Sequence, residues 1–371
     1  MRARDLGISI GLLPPGPLNA ITDVAGVRVG HATLIDGEGR LRVGHGPVRT
    51  GVTVILPRDG EIGANPYFAG AHTLNGNGEM TGLEWLRESG MLTTPIGLTN
   101  THSVGVVRDA LVAAGMGEHG GGPRWSLPVV AETYDGWLND VDGQHVAAEH
   151  VFSAMAIASG GPVPEGNVGG GTGMVTFGFK GGIGTSSRRV EAGGQTCTVG
   201  VLVQANHGRR LRFAVDGVPV GRVITPDVVP LPGPPVEEGA GSIIAIVATD
   251  APLLPHQCRR LAQRAALGVA RGGGGGEHSS GDLFLAFATG NADLPPADAA
   301  SGPGSYPPVG IRMLPDADIS PLYWGVIEAT EEAVLNAALA AQTMTGRDGI
   351  TAHALPHDLL RQVMDRYGRG A

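Results

Sequence analysis

A chain of 371 residues, 42% hydrophobic and 16% charged, can fill one large layered core, and no stretch reaches the ~18 consecutive apolar residues of a membrane-spanning helix. Its formal net charge of −9 excludes the basic footprint of a nucleic-acid binder. Two cysteines, Cys197 and Cys258, lie in separate apolar contexts, which excludes a disulfide framework and marks them as buried thiols.

In chain order, the opening MRARDLGISIGLLPPGPLNAI sets Asp5 and several prolines beside a short apolar run. That is not the pattern of a secretory signal, and the cytoplasm is the expected compartment. β-Branched runs bounded by Gly or Pro predict strands at 50–57, 94–100, 126–132, 173–179, 196–206, 242–249 and 283–289. Apolar spacing predicts helices at 103–117, 144–160, 255–272 and 328–346. Several strands are apolar on both faces and need cover on both, so a layered α/β domain with two sheets between helical layers is expected. Residues 215–241 are rich in proline, lack periodicity and predict a long surface loop that runs directly into the strand starting at Ser242.

Glycine is the compositional outlier, with 62 residues clustered at 120–122, 169–173, 181–184 and 272–276. None of these clusters has the G-x-G-x-x-G order of a dinucleotide site. Histidine pairs such as His145 with His150 and His353 with His357 lack H-E-x-x-H spacing and a third ligand, so neither a metal nor a cofactor is expected.

A serine hydroxyl needs a base, and no G-x-S-x-G elbow supplies one here. An alternative base is a serine's own α-amine, freed by cutting the preceding peptide, with an ordinary pKa of about 7.7 to 8.0. The Gly241-Ser242 junction suits this, because Gly241 admits backbone geometries closed to other residues.

The segments GSIIAIVATDAPLLPHQ (241–257) and HSSGDLFLAFATGN (278–291) resemble the DmpA-like aminopeptidases, the L-aminopeptidase/D-esterase and β-aminopeptidase family. The likeness extends through ITDVAGVRVGHATL (21–34), NGNGEMTGLEWL (75–86), VVAETYDGWLND (129–140), NVGGGTGMVTFGFKGGIGTSSR (167–188) and VLVQANHG (201–208), covering essentially the whole chain.

The resemblance implies a four-layer α/β/β/α sandwich similar to N-terminal-nucleophile hydrolases, in a single domain, 1–371, that cuts itself into 1–241 and 242–371. It implies Ser242 as nucleophile, Ser280 and Asp282 as its hydrogen-bonding partners, and Asn206 with Tyr134 as oxyanion donors. Some relatives carry Glu where this chain has the shorter Asp282. Glu132 would anchor the substrate's ammonium, and Trp137 would wall the pocket. On residue type alone Tyr134 is equally an ordinary core aromatic, and Glu132 equally a partner for a neighbouring arginine. The segment FKGGIGTSSR is expected to bring Lys180 and Ser186 towards the nucleophile.

The implied activity is an autoprocessed serine aminopeptidase or amidase acting on short peptides, amino-acid amides or esters with a free amine, through an acyl-enzyme. A tetramer of cleaved pairs is implied with it. The alternatives are an amidase for non-peptide amides such as nylon oligomers, whose enzymes generally present Thr as nucleophile, and a scaffold that has lost processing.

Overall fold

The computed structural model describes residues 1–117, 125–233, 241–296 and 306–369. Its elements in chain order are β1 (Arg28–Asp36), β2 (Val48–Leu56), β3 (Tyr67–Gly76), α1 (Leu83–Ser89), β4 (Met91–Leu92), β5 (Ile96–Asn100), α2 (Val104–Gly117), β6 (Val129–Thr133), α3 (Ala148–Ala156), β7 (Val175–Thr176), β8 (Phe179–Lys180), β9 (Gly182–Ala192), β10 (Gln195–Asn206), β11 (Ser242–Thr249), α4 (Pro255–Arg271), β12 (Gly281–Ala288), α5 (Ser320–Ala340), β13 (Met344–Thr345), β14 (Thr351–Ala352) and α6 (His357–Arg366).

Two sheets form the middle of the molecule: a four-stranded one ordered β1-β2-β5-β6 and a six-stranded one ordered β4-β3-β12-β11-β10-β9. The two-residue period of a strand distributes the side chains of β11. Ile243, Ala245 and Val247 face one way, into a core shared with Val201, Val203, Phe284 and residues of α4 and α5. Facing the other way, Ile244, Ile246 and Ala248 join Leu202, Leu283, Leu285 and Phe287 against Ile55, Ile96, Leu98, Val129 and Ala131 of the smaller sheet. On that sheet's outer face, Val52, Val54 and Val130 pack on Val107, Leu111, Val151 and Ala154 of α2 and α3. The order is helix, sheet, sheet, helix, as expected. At roughly 1.5–3 kcal/mol for each fully buried aliphatic side chain, these apolar layers dominate the stabilisation.

Strand β11 pairs antiparallel with β10 and parallel with β12, while β12 pairs antiparallel with β3. The parallel neighbours β11 and β12 are joined through α4, a crossover that parallel pairing requires. Helix α4 starts with Pro255 in its first turn, Gln257 Oε1 accepts from the Leu254 N–H at 3.0 Å, and the helix ends at Gly272.

Four expectations need correction. Residues 173–179 do not form one strand: β7 and β8 make a small hairpin around Phe177 and Gly178, both at positive φ. The third helix spans only Ala148–Ala156, since Gln144 takes a left-handed conformation and Ser159 turns back to pair with Val29. Helix α5 begins eight residues earlier than expected, with Pro321 in its first turn, and stops at Ala340 because the chain then enters the β13–β14 hairpin. Residues 215–233 are not a surface loop: Val218, Val220, Ile224 and Val229 are buried, and the fully buried Arg210 donates to the carbonyls of Ile224 and Val229. The remainder of that segment, 234–240, lies outside the described residues.

Candidate active site

The even-numbered face of β11 looks into the gap between the sheets, so Ser242, its first residue, opens onto the end of that gap. Directly opposite it on β10 stands Asn206, at a spacing that brings Cβ atoms within about 4.5–5.5 Å. The Asn206 amide has a fixed orientation: Oδ1 accepts from the Val175 N–H at 2.8 Å and Nδ2 donates to the Tyr134 carbonyl at 2.9 Å. Among the described residues no acceptor takes the second Nδ2 hydrogen.

On the other side of Ser242, the Gly281 N–H that begins β12 donates to Ser242 Oγ at 3.0 Å. Ser280 Oγ donates to Asp282 Oδ1 at 2.7 Å, and a bulge between Asp282 and Leu283 aims the carboxylate. Asp282 Oδ2 is buried and meets no hydrogen-bond donor in bonding geometry among the described residues. Burial raises the Asp282 pKa, while the Ser280 hydroxyl and the nearby Ile243 N–H oppose the rise.

Gly241, the residue before Ser242, is hemmed in by backbone. A Cβ there would stand 2.2 Å from the Asn206 carbonyl oxygen, closer than any side chain tolerates.

Glu132, on β6, is buried and lies beyond Gly281. A Cβ on Gly78 would be 3.2 Å from Glu132 Oε1 and 2.9 Å from Gly281 Cα. The Glu79 N–H donates to Oε1 at 3.0 Å, and the Thr101 hydroxyl donates to Oε2. Burial raises the Glu132 pKa against these bonds. Its partners are therefore a hydroxyl and an amide, and among the described residues no ion pair joins it to an arginine.

Tyr134 is 43% exposed, with its hydroxyl 2.2 Å from where a Cβ on Gly136 would lie. It touches the site through its backbone carbonyl, on Asn206. Trp137 is half-buried, its ring edge 3.1 Å from a Cβ position on Gly233.

Lys180 and Ser186 part company. Lys180 is fully buried, and its Nζ donates to the carbonyls of Met174 and Gly181, each at 2.8 Å, and of Gly171 at 3.4 Å. It braces the turn whose Val175 N–H orients Asn206. Burial lowers its pKa to about 7, against the attraction of the buried Asp135, which burial itself raises to about 7. Ser186 pairs with Val201 on β10, five residues from Asn206 and about 17 Å along the strand. It bonds Asn19 and Arg188 in the helix-facing layer, so it is not near Ser242.

Polar groups also floor the gap behind Ser242. Gln204 Nε2, two residues back from Asn206, reaches across to the Thr99 carbonyl and the Thr133 hydroxyl of the smaller sheet, both at 2.8 Å. Residue patterning misses Thr101, Gln204 and the Gly281 N–H: a lone threonine, a glutamine inside an apolar strand and a backbone amide carry no motif of their own.

The chain is similar to known proteins along essentially its whole length. The β-peptidyl aminopeptidase BapA of Sphingosinicella microcystinivorans is 49% identical over 377 aligned positions, covering 99% of this chain and 93% of the relative. BapA of Sphingosinicella xenopeptidilytica is 46% identical, covering 98% and 90%. Among solved structures, a Burkholderia sp. β-aminopeptidase superposes with a TM-score of 0.91 at 54% identity, covering 99% of both chains. The L-aminopeptidase D-Ala-esterase/amidase of Ochrobactrum anthropi, described as a prototype of serine aminopeptidases and a variant of the Ntn hydrolase fold, gives 0.88 at 44% identity over 100% of this chain and 99% of that one. The model of peptidase family S58 matches residues 19–352. The chain belongs to peptidase family S58.

Proposed function

We propose that this aminopeptidase cuts itself between Gly241 and Ser242 and then removes N-terminal residues from short peptides, amino-acid amides and esters through an acyl-enzyme on Ser242. The observation that carries the reading is the cross-strand pair Ser242–Asn206, with Gly281 N–H on the serine oxygen and Ser280–Asp282 beside it.

In the uncut chain, Ser242 Oγ attacks the Gly241 carbonyl, an ester replaces the peptide bond, and water releases the 1–241 carboxylate. The new α-ammonium of Ser242 then has a carboxylate partner in Asp282, whose Oδ2 meets no donor in bonding geometry among the described residues. As a free amine it takes the hydroxyl proton when Oγ attacks the substrate, and later passes it to the leaving amine. The spare Nδ2 hydrogen of Asn206 stabilises the oxyanion. A donor of this kind is worth about 2.7–4 kcal/mol in the transition state. Glu132 holds the substrate's ammonium, which confines the enzyme to unblocked N-termini, and Trp137 walls the pocket. Tyr134 contributes a second oxyanion donor only if its hydroxyl leaves Gly136 when substrate binds.

The two BapA relatives are named for β-peptidyl substrates, and we extend that preference to this chain. A cytoplasmic site of action and a tetramer of cleaved pairs complete the proposal. Exposed Tyr306, Val309, Ile311, Met313 and Trp324 offer apolar surface for such contacts.

Intact mass of the purified protein beside Ser242→Ala is the first test. The parent is expected as two chains summing to the precursor plus one water, and the variant as one inactive chain. An uncut parent that hydrolyses amides refutes the mechanism. Comparing β-homoalanyl and L-alanyl p-nitroanilides tests the substrate class, and light scattering the tetramer.

A further inference from the structure

The segment Asn75-Gly76-Asn77-Gly78 leaves the end of β3 and leads to Met80, which bridges to Ala131 of the smaller sheet. Both of its asparagine side chains grip the turn 277–281. Asn75 Nδ2 donates to the carbonyl oxygens of Glu277 at 2.9 Å and His278 at 3.1 Å, and also to that of Ser280. Asn77 Nδ2 donates to the Ser279 carbonyl at 2.8 Å, and the Asn77 backbone N–H to the Ser280 carbonyl at 3.2 Å. Three carbonyl oxygens surround the end of the Asn75 side chain, so that end must be the NH₂.

The gripped turn follows five consecutive glycines, 272–276, and glycine leaves a backbone more conformations to lose than any other residue. The Arg209–Glu277 ion pair at 2.7 Å fixes one end of the turn, and the asparagines fix the rest. The Ser280 carbonyl and the Gly281 N–H belong to one rigid, planar peptide unit, and in the trans form they point in opposite directions. Holding the oxygen therefore sets where the hydrogen points, and it points at Ser242 Oγ.

We propose that Asn75 is a positioning residue for the reaction: by holding the Ser280 carbonyl it orients the Ser280–Gly281 peptide and aims the Gly281 N–H at the nucleophilic oxygen. That N–H occupies one lone pair of Ser242 Oγ, steadies the negative charge growing there as the proton leaves, and turns the hydroxyl hydrogen towards its base. The inference rests on Ser242 being the nucleophile.

Asn75→Asp keeps the shape and sets a carboxylate against three carbonyl oxygens, while Asn75→Ser retains a single donor. The measurements are kcat and KM on an aminoacyl p-nitroanilide, the self-cleavage rate, and thermal midpoints in a Ser242→Ala background. Asn75→Asp is expected to lower kcat at least tenfold with KM within about twofold and to slow self-cleavage, with Asn75→Ser intermediate. A kcat within twofold of the parent in Asn75→Asp overturns the inference. So does a loss in kcat matched by an equal change in KM and a collapsed midpoint, with Asn75→Ser no better. If Asn75→Asp does not fold, Asn75→Ser decides: lower kcat at unchanged KM supports the role, and unchanged kcat refutes it. Ser242→Ala run alongside separates the two readings. An active Ser242→Ala removes the nucleophile assignment itself, whereas an inactive one beside a fully active Asn75→Asp removes only the role of Asn75.

Discussion

A methyl group on Gly241 would press on the Asn206 carbonyl oxygen at 2.2 Å, and the backbone on either side of the proposed scissile bond would have to shift to admit it. Overpacking of this kind costs about 1–3 kcal/mol. Gly241→Ala is therefore expected to self-cleave about 10- to 100-fold more slowly, measured by mass spectrometry over time after expression. Glu132→Gln is expected to raise KM by roughly 10- to 100-fold with a smaller change in kcat, as loss of a charge-assisted bond to ammonium requires. Only the ionised Glu132 attracts an ammonium, and burial raises its pKa. KM of the parent should thus begin to rise, as pH falls, at a pH above the ordinary glutamate range.

His207, next to Asn206, is expected to make stability, too, fall with pH. It is buried against Phe177, and burial lowers its pKa to about 4 from 6.5. Its folded-state pKa lies below the unfolded one, so its contribution is complete above pH 6.5. As pH falls from 6.5 towards 4 that contribution is lost, on the order of 3 kcal/mol in all. Asp135 and Glu165, raised to about 7 by burial, act oppositely, gaining protons and favouring the fold as pH falls. The histidine effect should therefore be isolated as the difference in denaturant stability between the parent and His207→Leu: a gap that stays flat from pH 7 to 4 would refute it.

Among the elements, β10, β11 and β12 are legible in the sequence because they are buried on both faces and made of Val, Ile, Leu, Ala and Phe. Their neighbours β3 (YFAGAHTLNG) and β9 (GIGTSSRRVEA), which flank them in the same sheet, carry no such signal. Gly70 in β3 lies against the backbone of Arg259 in α4, and Gly184 in β9 against that of Ala333 in α5, so the lack of a side chain is what permits the packing. The polar residues of β9 are buried by partners far along the chain: Arg188 bonds Glu332 at 2.7 Å and Glu328 at 3.3 Å, both on α5, and Arg4 reaches Glu332 at 3.1 Å. Tertiary pairing of this kind leaves no periodic trace. It also explains why α5 begins before the expected start, since the helix is apolar and buried on nearly every side and Glu328, Glu331 and Glu332 lie inside. Arg188→Met would leave buried carboxylates short of a partner, and a loss of about 3–5 kcal/mol in denaturant unfolding is expected. The candidate site was legible wherever a residue type and a family motif coincided, as at Ser242, Asn206 and Asp282. It was illegible where a backbone group or a distant amide acts, as at Gly281 and Asn75.

At the scale of the whole molecule, a cut at Gly241-Ser242 would divide the six-stranded sheet without opening it. β11 and β12 would belong to the smaller piece, while β10 and β3 on either side would belong to the larger. The buried layer beneath α4 and α5 likewise draws residues from both pieces. The cut halves should therefore elute together in size-exclusion chromatography at 1 M salt and separate only in denaturant. Separation by salt alone would mean that screened surface charge holds them.

The place of β11 in that sheet has another consequence. Chain ends ordinarily fray and exchange their amide hydrogens within seconds, because little holds them. After cleavage the amides of Ile243 to Ile246 would directly follow a chain end and yet sit between two paired strands in the driest part of the protein. They should rank among the slowest-exchanging amides of the molecule, open only when the whole domain unfolds, and lend that stillness to the amine one residue away.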